Sequence, residues 1–190
     1  MKLDIAQLGQ PVLWQKTLEV SPEEILSPDF QQFVSDMRET LDSQPGVGLA
    51  APQVFSNRRV FLAAILPPVE IPGVEKPRPG VEVFINPRIT HESPEQHSAW
   101  EGCLSFPELL VLVERPHAVR VEYLNEKGEA KGVQATGFKA RVILHEFDHL
   151  EGILTLDRIQ SPRDIIKASE ASTLEDSKEK ETAAIPANIV

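Results

Sequence analysis

The sequence predicts one α+β domain, in which antiparallel β-sheets pack around a central helix that carries a metal-binding motif. Two observations predict it: paired runs of alternating or β-branched apolar residues, and two segments with apolar residues at helical spacing. No internal repeat or break in composition requires a second core within 190 residues. We therefore place the folded domain at residues 1–160 and a polar C-terminal helix or tail at 161–190.

The first predicted helix lies in "SPDFQQFVSDMRETLDSQPG". Ser27 is placed to cap it, Pro28 is placed at its first position, and Pro45-Gly46 ends it. Its apolar residues recur at helical spacing and predict one buried face: Phe30, Phe33, Val34, Met37 and Leu41.

The second predicted helix, "FKARVILHEFDHL", follows Gly137 and is ended or loosened by Gly152. Five of its residues share one face: Phe138, Arg141, Val142, His145 and His149. After it we expect only a weak helix around residues 164–171 and a frayed tail.

The strands are predicted in "RRVFLAAIL", in "GVEVFINPRIT" and in "AVRVEYLNEKGEAKGVQATG". The last segment alternates apolar and polar residues on either side of residues 125–128, so we expect an antiparallel hairpin. Residues 67–80 contain five prolines within thirteen residues. Because proline lacks an N–H group, we expect no regular ladder there and interpret the segment as a surface insertion.

Charge and composition narrow the function classes. A net charge of −10 argues against direct binding of nucleic acid. No run approaches the ~20 apolar residues of a membrane span, and the N-terminus resembles neither a signal nor a transit peptide. The lone Cys103 cannot form an internal disulfide. We expect a cytoplasmic protein without a membrane partner.

His145, Glu146 and His149 form an H-E-x-x-H motif. Residues four apart lie above one another on a helix, so both imidazoles can reach one ion while Glu146 reaches a water molecule there. A catalytic site usually needs a third protein ligand. The metzincin pattern would place a histidine where Thr155 stands, and threonine does not replace histidine as a metal ligand.

The other candidates for the third ligand are Cys103, Glu170 and the remaining histidines, His91, His97 and His117. Glu170 lies in a polar stretch that does little to fix its position. The histidines lack a second ligand at helical or short-turn spacing. Cys103 is the only thiol and lies in a predicted turn or strand end, although a buried small hydrophobe is the usual role of a lone cysteine.

Three segments in this order resemble the motifs of the peptide deformylases: "PGVGLAAPQV" at 45–54, "EGCLS" at 101–105 and "HEFDHL" at 145–150. The resemblance extends over about residues 3–160. It implies an enzyme that removes the formyl group from the formyl-methionine of nascent polypeptides and releases formate. It also implies that Cys103, His145 and His149 bind a divalent metal, most often Fe²⁺, which Zn²⁺, Ni²⁺ or Co²⁺ can replace.

By the same resemblance, Glu146 is the general base and acid, and the Gln53 amide and the backbone N–H of Leu104 stabilise the oxyanion. Glu101 and Asp148 are candidates to orient a ligand histidine or to pair with Arg115. We expect the peptide to add as a strand near Gly48 and the methionine side chain to occupy an apolar pocket. The residues expected to bind substrate are Val47, Gly48, Gly102, Phe138, Arg141 and Val142.

Two other functions remain open from the residues alone: a zinc endopeptidase with a different third ligand, and a non-catalytic relative in which the metal only supports the fold. The ribosome is a candidate partner, but residues 161–190 hold four Lys or Arg against six Asp or Glu, so no basic docking helix is evident. Many deformylases have glutamine where this chain has Leu144. On the helix this residue points about 100° away from His145, so no ligand is lost.

Overall fold

A computed structural model describes residues 1–69 and 78–171. The helices are α1 (Pro22–Ile25), α2 (Pro28–Asp42) and α3 (Gly137–Glu151). The strands are β1 (Gly48–Ala50), β2 (Val60–Val69), β3 (Arg78–Glu92), β4 (Gln96–Glu101), β5 (Leu109–Pro116), β6 (Ala118–Leu124), β7 (Ala130–Thr136) and β8 (Ile165–Lys167). None of the described helices is long and apolar enough to cross a membrane.

Five strands form an antiparallel sheet in the order β1-β2-β3-β6-β7, which places β1 at one edge. The predicted hairpin is confirmed as β6 and β7, which pair from Ala118 with Thr136 to Leu124 with Ala130. Gly128 closes their turn with a φ of 74°, a value that favours glycine. The fold is therefore the expected α+β class.

Side chains alternate between the two faces of this sheet. Phe61 and Phe84 stack at 4.6 Å on the face that α3 covers, whereas Leu62 and Ile85 point into the core beneath α2. Helix α2 begins as predicted, because the Ser27 side chain accepts a hydrogen bond from the N–H of Phe30. Both faces are buried, and α3 is held against the sheet along its apolar side.

The smaller sheet has the order β4-β5-β8 and corrects the prediction for the C-terminal segment. Instead of a helix around residues 164–171, Ile165 and Ile166 pair with β5 as strand β8, and short 3-10 turns flank it. Two adjacent β-branched residues favour an extended backbone when an unpaired strand edge is available. The predicted tail at 172–190 lies outside the described residues.

The prediction for residues 67–80 was of no regular ladder, and both ends of the segment pair, but in an irregular register. Pro68 pairs with Pro79 and Val69 with Arg78, after two shifts of register in the ladder. This part of β2 extends beyond β1 and, among the described residues, pairs only with β3, so a proline can lie at the open edge. Residues 70–77 of the predicted insertion lie outside the described part of the chain.

Helix α3 ends at Gly152, which has a φ of 72°. The N–H groups of Gly152 and Ile153 donate to carbonyls of the last helical turn. A Cβ atom at Gly152 would lie 2.7 Å from the backbone carbonyl atoms of Trp14. Only glycine therefore allows the N-terminal segment to pass this close to the end of α3.

We expect Gly152→Ala to lower the free energy of unfolding by about 3 kcal/mol, because it adds a backbone clash to the ~1–2 kcal/mol of left-handed strain. Urea denaturation measures the change. Gly128→Ala is the matched control, since Gly128 has the same sign of φ but no atom within 4 Å of the added Cβ. Equal losses in the two variants would show that the Trp14 contact costs nothing.

Candidate metal centre

Three potential metal ligands converge where β4 ends against α3. One ligand atom each of Cys103, His145 and His149 lies within 4.8 Å of the others. The Sγ atom of Cys103 is 3.4 Å from Nε2 of His149. The two histidines come from successive turns of α3 and the cysteine from the turn after β4, so the structure brings together the three residues predicted to ligate.

The hydrogen bonding of His145 fixes which nitrogen can coordinate. Its Nδ1 atom lies 2.9 Å from Oε2 of Glu101, so Nε2 faces Cys103 and His149. Burial lowers the pKa of His145, but its hydrogen bonds to Cys103 and Glu101 outweigh burial and hold that pKa well above the usual value. For His149, burial and the charge of His145 lower the pKa well below the usual value, which favours the neutral, coordinating imidazole. A thiolate with two imidazoles is a ligand set that suits a divalent cation.

The candidate ligands are held by a buried network of ion pairs. Glu101 accepts hydrogen bonds from Nε of Arg115 at 2.6 Å and from Nη1 of Arg141 at 2.7 Å. Arg115 also donates to Asp148 at 2.8 Å, and Arg158 pairs with the same aspartate. Although burial alone would raise the pKa of Glu101, Arg115 and His145 keep it well below the usual range. Glu101 is therefore ionised and holds His145 in one orientation, as predicted.

Glu146 occupies the second functional position of the motif and is 4% exposed. Its Oε2 atom has no hydrogen-bond partner among the described residues. Burial raises the pKa of Glu146 to about 7, and the positive charges of His145 and Arg115 oppose that rise. A carboxyl group with this pKa can accept and return a proton near neutral pH.

Gly48 makes room for Glu146. A Cβ atom on Gly48 would lie 2.1 Å from Oε1 of Glu146 and 2.6 Å from its carboxyl carbon. From the sequence we expected this glycine to let a substrate backbone approach, but its closest neighbour is the carboxylate. The absence of a side chain at position 48 is what allows Glu146 to lie beside the candidate metal ligands.

Gln53 is almost completely buried and its amide is oriented. Its Oε1 atom accepts from the N–H of Ala50 at 2.9 Å, so Nε2 points to Ser105 Oγ at 3.3 Å and Cys103 Sγ at 3.5 Å. The N–H of Leu104 has no acceptor among the residues that the structure describes. Two N–H donors thus lie next to the candidate ligand Cys103.

A cavity opens beside these groups. It is bounded by the segment before β1, the turn after β4 and the exposed end of α3, and Val142 is buried in it while Phe138 is 41% exposed at its rim. All six residues predicted to bind substrate line it: Val47, Gly48, Gly102, Phe138, Arg141 and Val142. The charged end of Arg141 points to Glu101 and the carbonyl of Val113, which leaves its aliphatic stem as part of the wall.

The alternative ligands lie elsewhere. Glu170 is exposed in a 3-10 turn and belongs to none of the potential metal clusters among the described residues. Thr155 is buried, and His91 is exposed on β3. Leu144 is 4% exposed within the core between α3 and the sheet, so its difference from the usual glutamine affects packing rather than the ligands.

Sequence reasoning missed two contributors to this site. Arg158 pairs with Asp148 across the end of α3, and Ser105 accepts from the Gln53 amide. Arg158 lies outside the three motifs, and Ser105 lies in the EGCLS motif but was assigned no role there. The ten-residue separation of Asp148 and Arg158 becomes a contact only because Gly152 turns the chain back.

The comparisons with known proteins agree on one family. A family model described as polypeptide deformylase matches residues 2–164. Peptide deformylase 2 of Nostoc sp. is 40% identical over 172 residues, 90% of this chain and 94% of the relative. A Met-Ala-Ser-bound class I type b peptide deformylase from Acinetobacter baumannii superposes with a TM-score of 0.75 at 36% identity, covering 84% of this chain and 99% of its own.

The chain belongs to the peptide deformylase family. A peptide deformylase is a divalent-metal hydrolase that removes the N-terminal formyl group from formyl-methionine polypeptides. The predicted function is confirmed, and the endopeptidase and non-catalytic alternatives are set aside.

We expect Arg115→Met to lower the free energy of unfolding of this deformylase by about 3 kcal/mol, because Glu101 and Asp148 lose their shared buried cation. Urea denaturation of the metal-free protein measures the change. The control is Arg120→Met, which removes an exposed arginine on β6 and is expected to stay within ~0.5 kcal/mol of the wild type. Equal free energies of unfolding for the two variants would contradict the claim that Arg115 stabilises the fold as the shared cation of Glu101 and Asp148.

We expect Gly48→Ala to reduce kcat about 100-fold or more, because the new methyl group must displace the Glu146 carboxylate. Turnover and metal content are measured together, and metal content should stay at the wild-type level. Gly132→Ala is the control, since its added Cβ would meet only the Val121 carbonyl at 3.8 Å. Full activity in the Gly48 variant would show that Glu146 need not occupy this position.

Proposed function

We propose that Cys103, His145 and His149 hold the catalytic metal, and that Glu146 transfers the protons as the formyl group is removed. The observation that supports this assignment is the convergence of the three ligand atoms beside a buried carboxyl group with a pKa of about 7. Glu170, the acidic candidate for the third ligand, does not join this cluster, and Thr155 stands where the metzincin pattern requires a histidine.

The proposed chemistry divides between the ion and the protein. A divalent ion would lower the pKa of water and polarise the formyl carbonyl. Glu146 accepts the proton of the attacking water and delivers it to the departing amine, which leaves formate and a free N-terminus. Its pKa suits both roles, because a proton is neither held too tightly nor released too easily near pH 7.

Gln53 and Leu104 are proposed to stabilise the oxyanion that forms when the carbonyl is attacked. The amide of Gln53 is held by Ala50, so its N–H donors are directed into the site before the substrate arrives. The Leu104 N–H is the second donor. Preorganised donors of this kind need no reorientation during the reaction, which is the source of their effect.

Substrate is proposed to bind along β1 with its methionine side chain in the cavity. Strand β1 is an edge of the five-stranded sheet, so an extended peptide can continue the ladder. Val142 and Phe138 supply apolar walls, and Gly102 leaves space beside Cys103. The Acinetobacter baumannii relative with bound Met-Ala-Ser supports a peptide that begins with methionine.

Fe²⁺ is the proposed native ion, with Zn²⁺, Ni²⁺ or Co²⁺ as replacements. A thiolate with two imidazoles accepts all of these ions, so availability decides between them. Both a thiolate and ferrous iron are oxidisable, and activity should therefore decline in air. The proposed partner is the nascent formyl-Met polypeptide at the ribosome, in the cytoplasm.

The decisive experiment is turnover of formyl-Met-Ala-Ser by anaerobically purified protein, with metal content measured on the same sample. We expect Glu146→Ala to lose about 10³-fold or more in formate release while it keeps its metal, because only the proton transfer is removed. We expect Cys103→Ala to lose the metal. The control Glu92→Ala changes an exposed carboxylate on β3 and should match the wild type.

Each result separates one part of the proposal from the rest. Metal retained by the Cys103 variant would overturn its assignment as a ligand without affecting the role of Glu146. Formate release by the Glu146 variant at the wild-type rate would overturn the proton-transfer role.

A further inference from the structure

Outside the metal centre, the described residues bring together a second set of ligand-type side chains: Glu95, His97 and His117. Their ligand atoms lie within 4.8 Å of one another. Nδ1 of His117 is 3.1 Å from Nδ1 of His97, and Nε2 of His97 is 2.8 Å from Oε1 of Glu95. We propose that these three residues form a second metal site, which binds Zn²⁺ or a similar imidazole-preferring ion.

The backbone fixes the three residues relative to one another. The N–H of His117 donates to the carbonyl of Glu95 at 2.8 Å, and the N–H of Ser93 donates to the carbonyl of Ala118 at 2.9 Å. His97 is held in the ladder between β4 and β5, where it pairs with Arg115. The backbones of the donor residues are therefore already ordered before an ion binds. Binding then costs only the conformational entropy of the three side chains.

The spacing and the ligand types point to zinc rather than to calcium or magnesium. Zn–N bonds of ~2.0–2.1 Å in tetrahedral geometry place two nitrogens about 3.4 Å apart, close to the separation of the two Nδ1 atoms. Imidazole nitrogens are common ligands of zinc, whereas the harder ions prefer oxygen alone. Glu95 accepts from Nε2 of His97, the nitrogen opposite the one that faces His117, so its carboxylate orients that imidazole towards the ion. His97 and Glu95 are exposed, so water can complete the coordination.

The second site shares no ligand with the first but is linked to it. Nη2 of Arg141 donates to the carbonyl of His97 at 2.5 Å, and Nη1 of the same arginine donates to Glu101. Glu101 in turn holds His145. An ion bound by this second site, which we call the outer cluster, would stabilise the start of β4. Arg141, which lines the substrate cavity, is hydrogen-bonded to that part of the strand.

Zinc stoichiometry of the holoenzyme tests the proposal. Protein with its catalytic site loaded is dialysed against buffered free Zn²⁺, and bound metal is counted per chain. We expect two equivalents in the wild type and one in both His97→Ala and His117→Ala. His91→Ala is the matched control, because it removes an exposed histidine of β3 that lies outside the cluster, and it should retain two equivalents.

Co²⁺ added to the metal-free protein separates the two sites by spectroscopy. Thiolate-to-cobalt charge transfer should report only the site with Cys103, whereas the second equivalent should add ligand-field bands without more charge transfer. His97→Ala should lose that second increment and keep the first. A wild type that saturates at one equivalent, or a second equivalent that survives in both histidine variants, would overturn the proposal.

Discussion

The carboxylate of Glu101 is the interaction on which the metal centre depends. It lies at the end of β4 and is 3% exposed, yet it contacts Arg115 of β5 and both Arg141 and His145 of α3. A buried carboxylate is costly unless it is paired and fully hydrogen-bonded. Here the pairing joins the small sheet to the helix and sets the orientation of His145, a proposed metal ligand. The same contacts therefore determine both the packing of α3 and the chemistry of His145.

Glu146 contrasts with Glu101, although the two carboxylates lie close to the same histidine. Glu101 has cationic partners that keep its pKa low, whereas burial dominates at Glu146 and raises its pKa to about 7. The Oε2 atom of Glu146, which has no hydrogen-bond partner among the described residues, is the structural sign of this difference. Leaving a buried oxygen without a donor lowers stability, but it keeps the group available for the proposed proton transfer. Gly48 is needed because the carboxylate fills the space of its missing side chain.

Local patterns predicted the parts of the fold that depend on local geometry. Helical spacing placed α2, α3 and the His145–His149 pair, and the hairpin followed from alternation around Gly128. The assignment of Cys103 as the third ligand depended on the resemblance to a family. Cys103 lies far from the helix along the chain, so no regular spacing links it to the two histidines. Strand β8 was missed because its extended form depends on the free edge of β5. The role of Gly48 was likewise set by a helix that lies far along the sequence.

The two candidate metal sites differ in what the protein must supply. At the catalytic site His149 is 2% exposed, so the ion would lose most of its water and needs a thiolate and a buried acid network as compensation. At the outer cluster the side chains are exposed, and water can provide the missing ligands and screen the charge. The sequence offered His97 and His117 only as single candidate ligands, because they are 20 residues apart and meet only through the packing of β4 against β5. Because its side chains are exposed, the outer cluster is a weaker reactive centre than the catalytic site. The protein can, however, form it without placing a charged residue in the core.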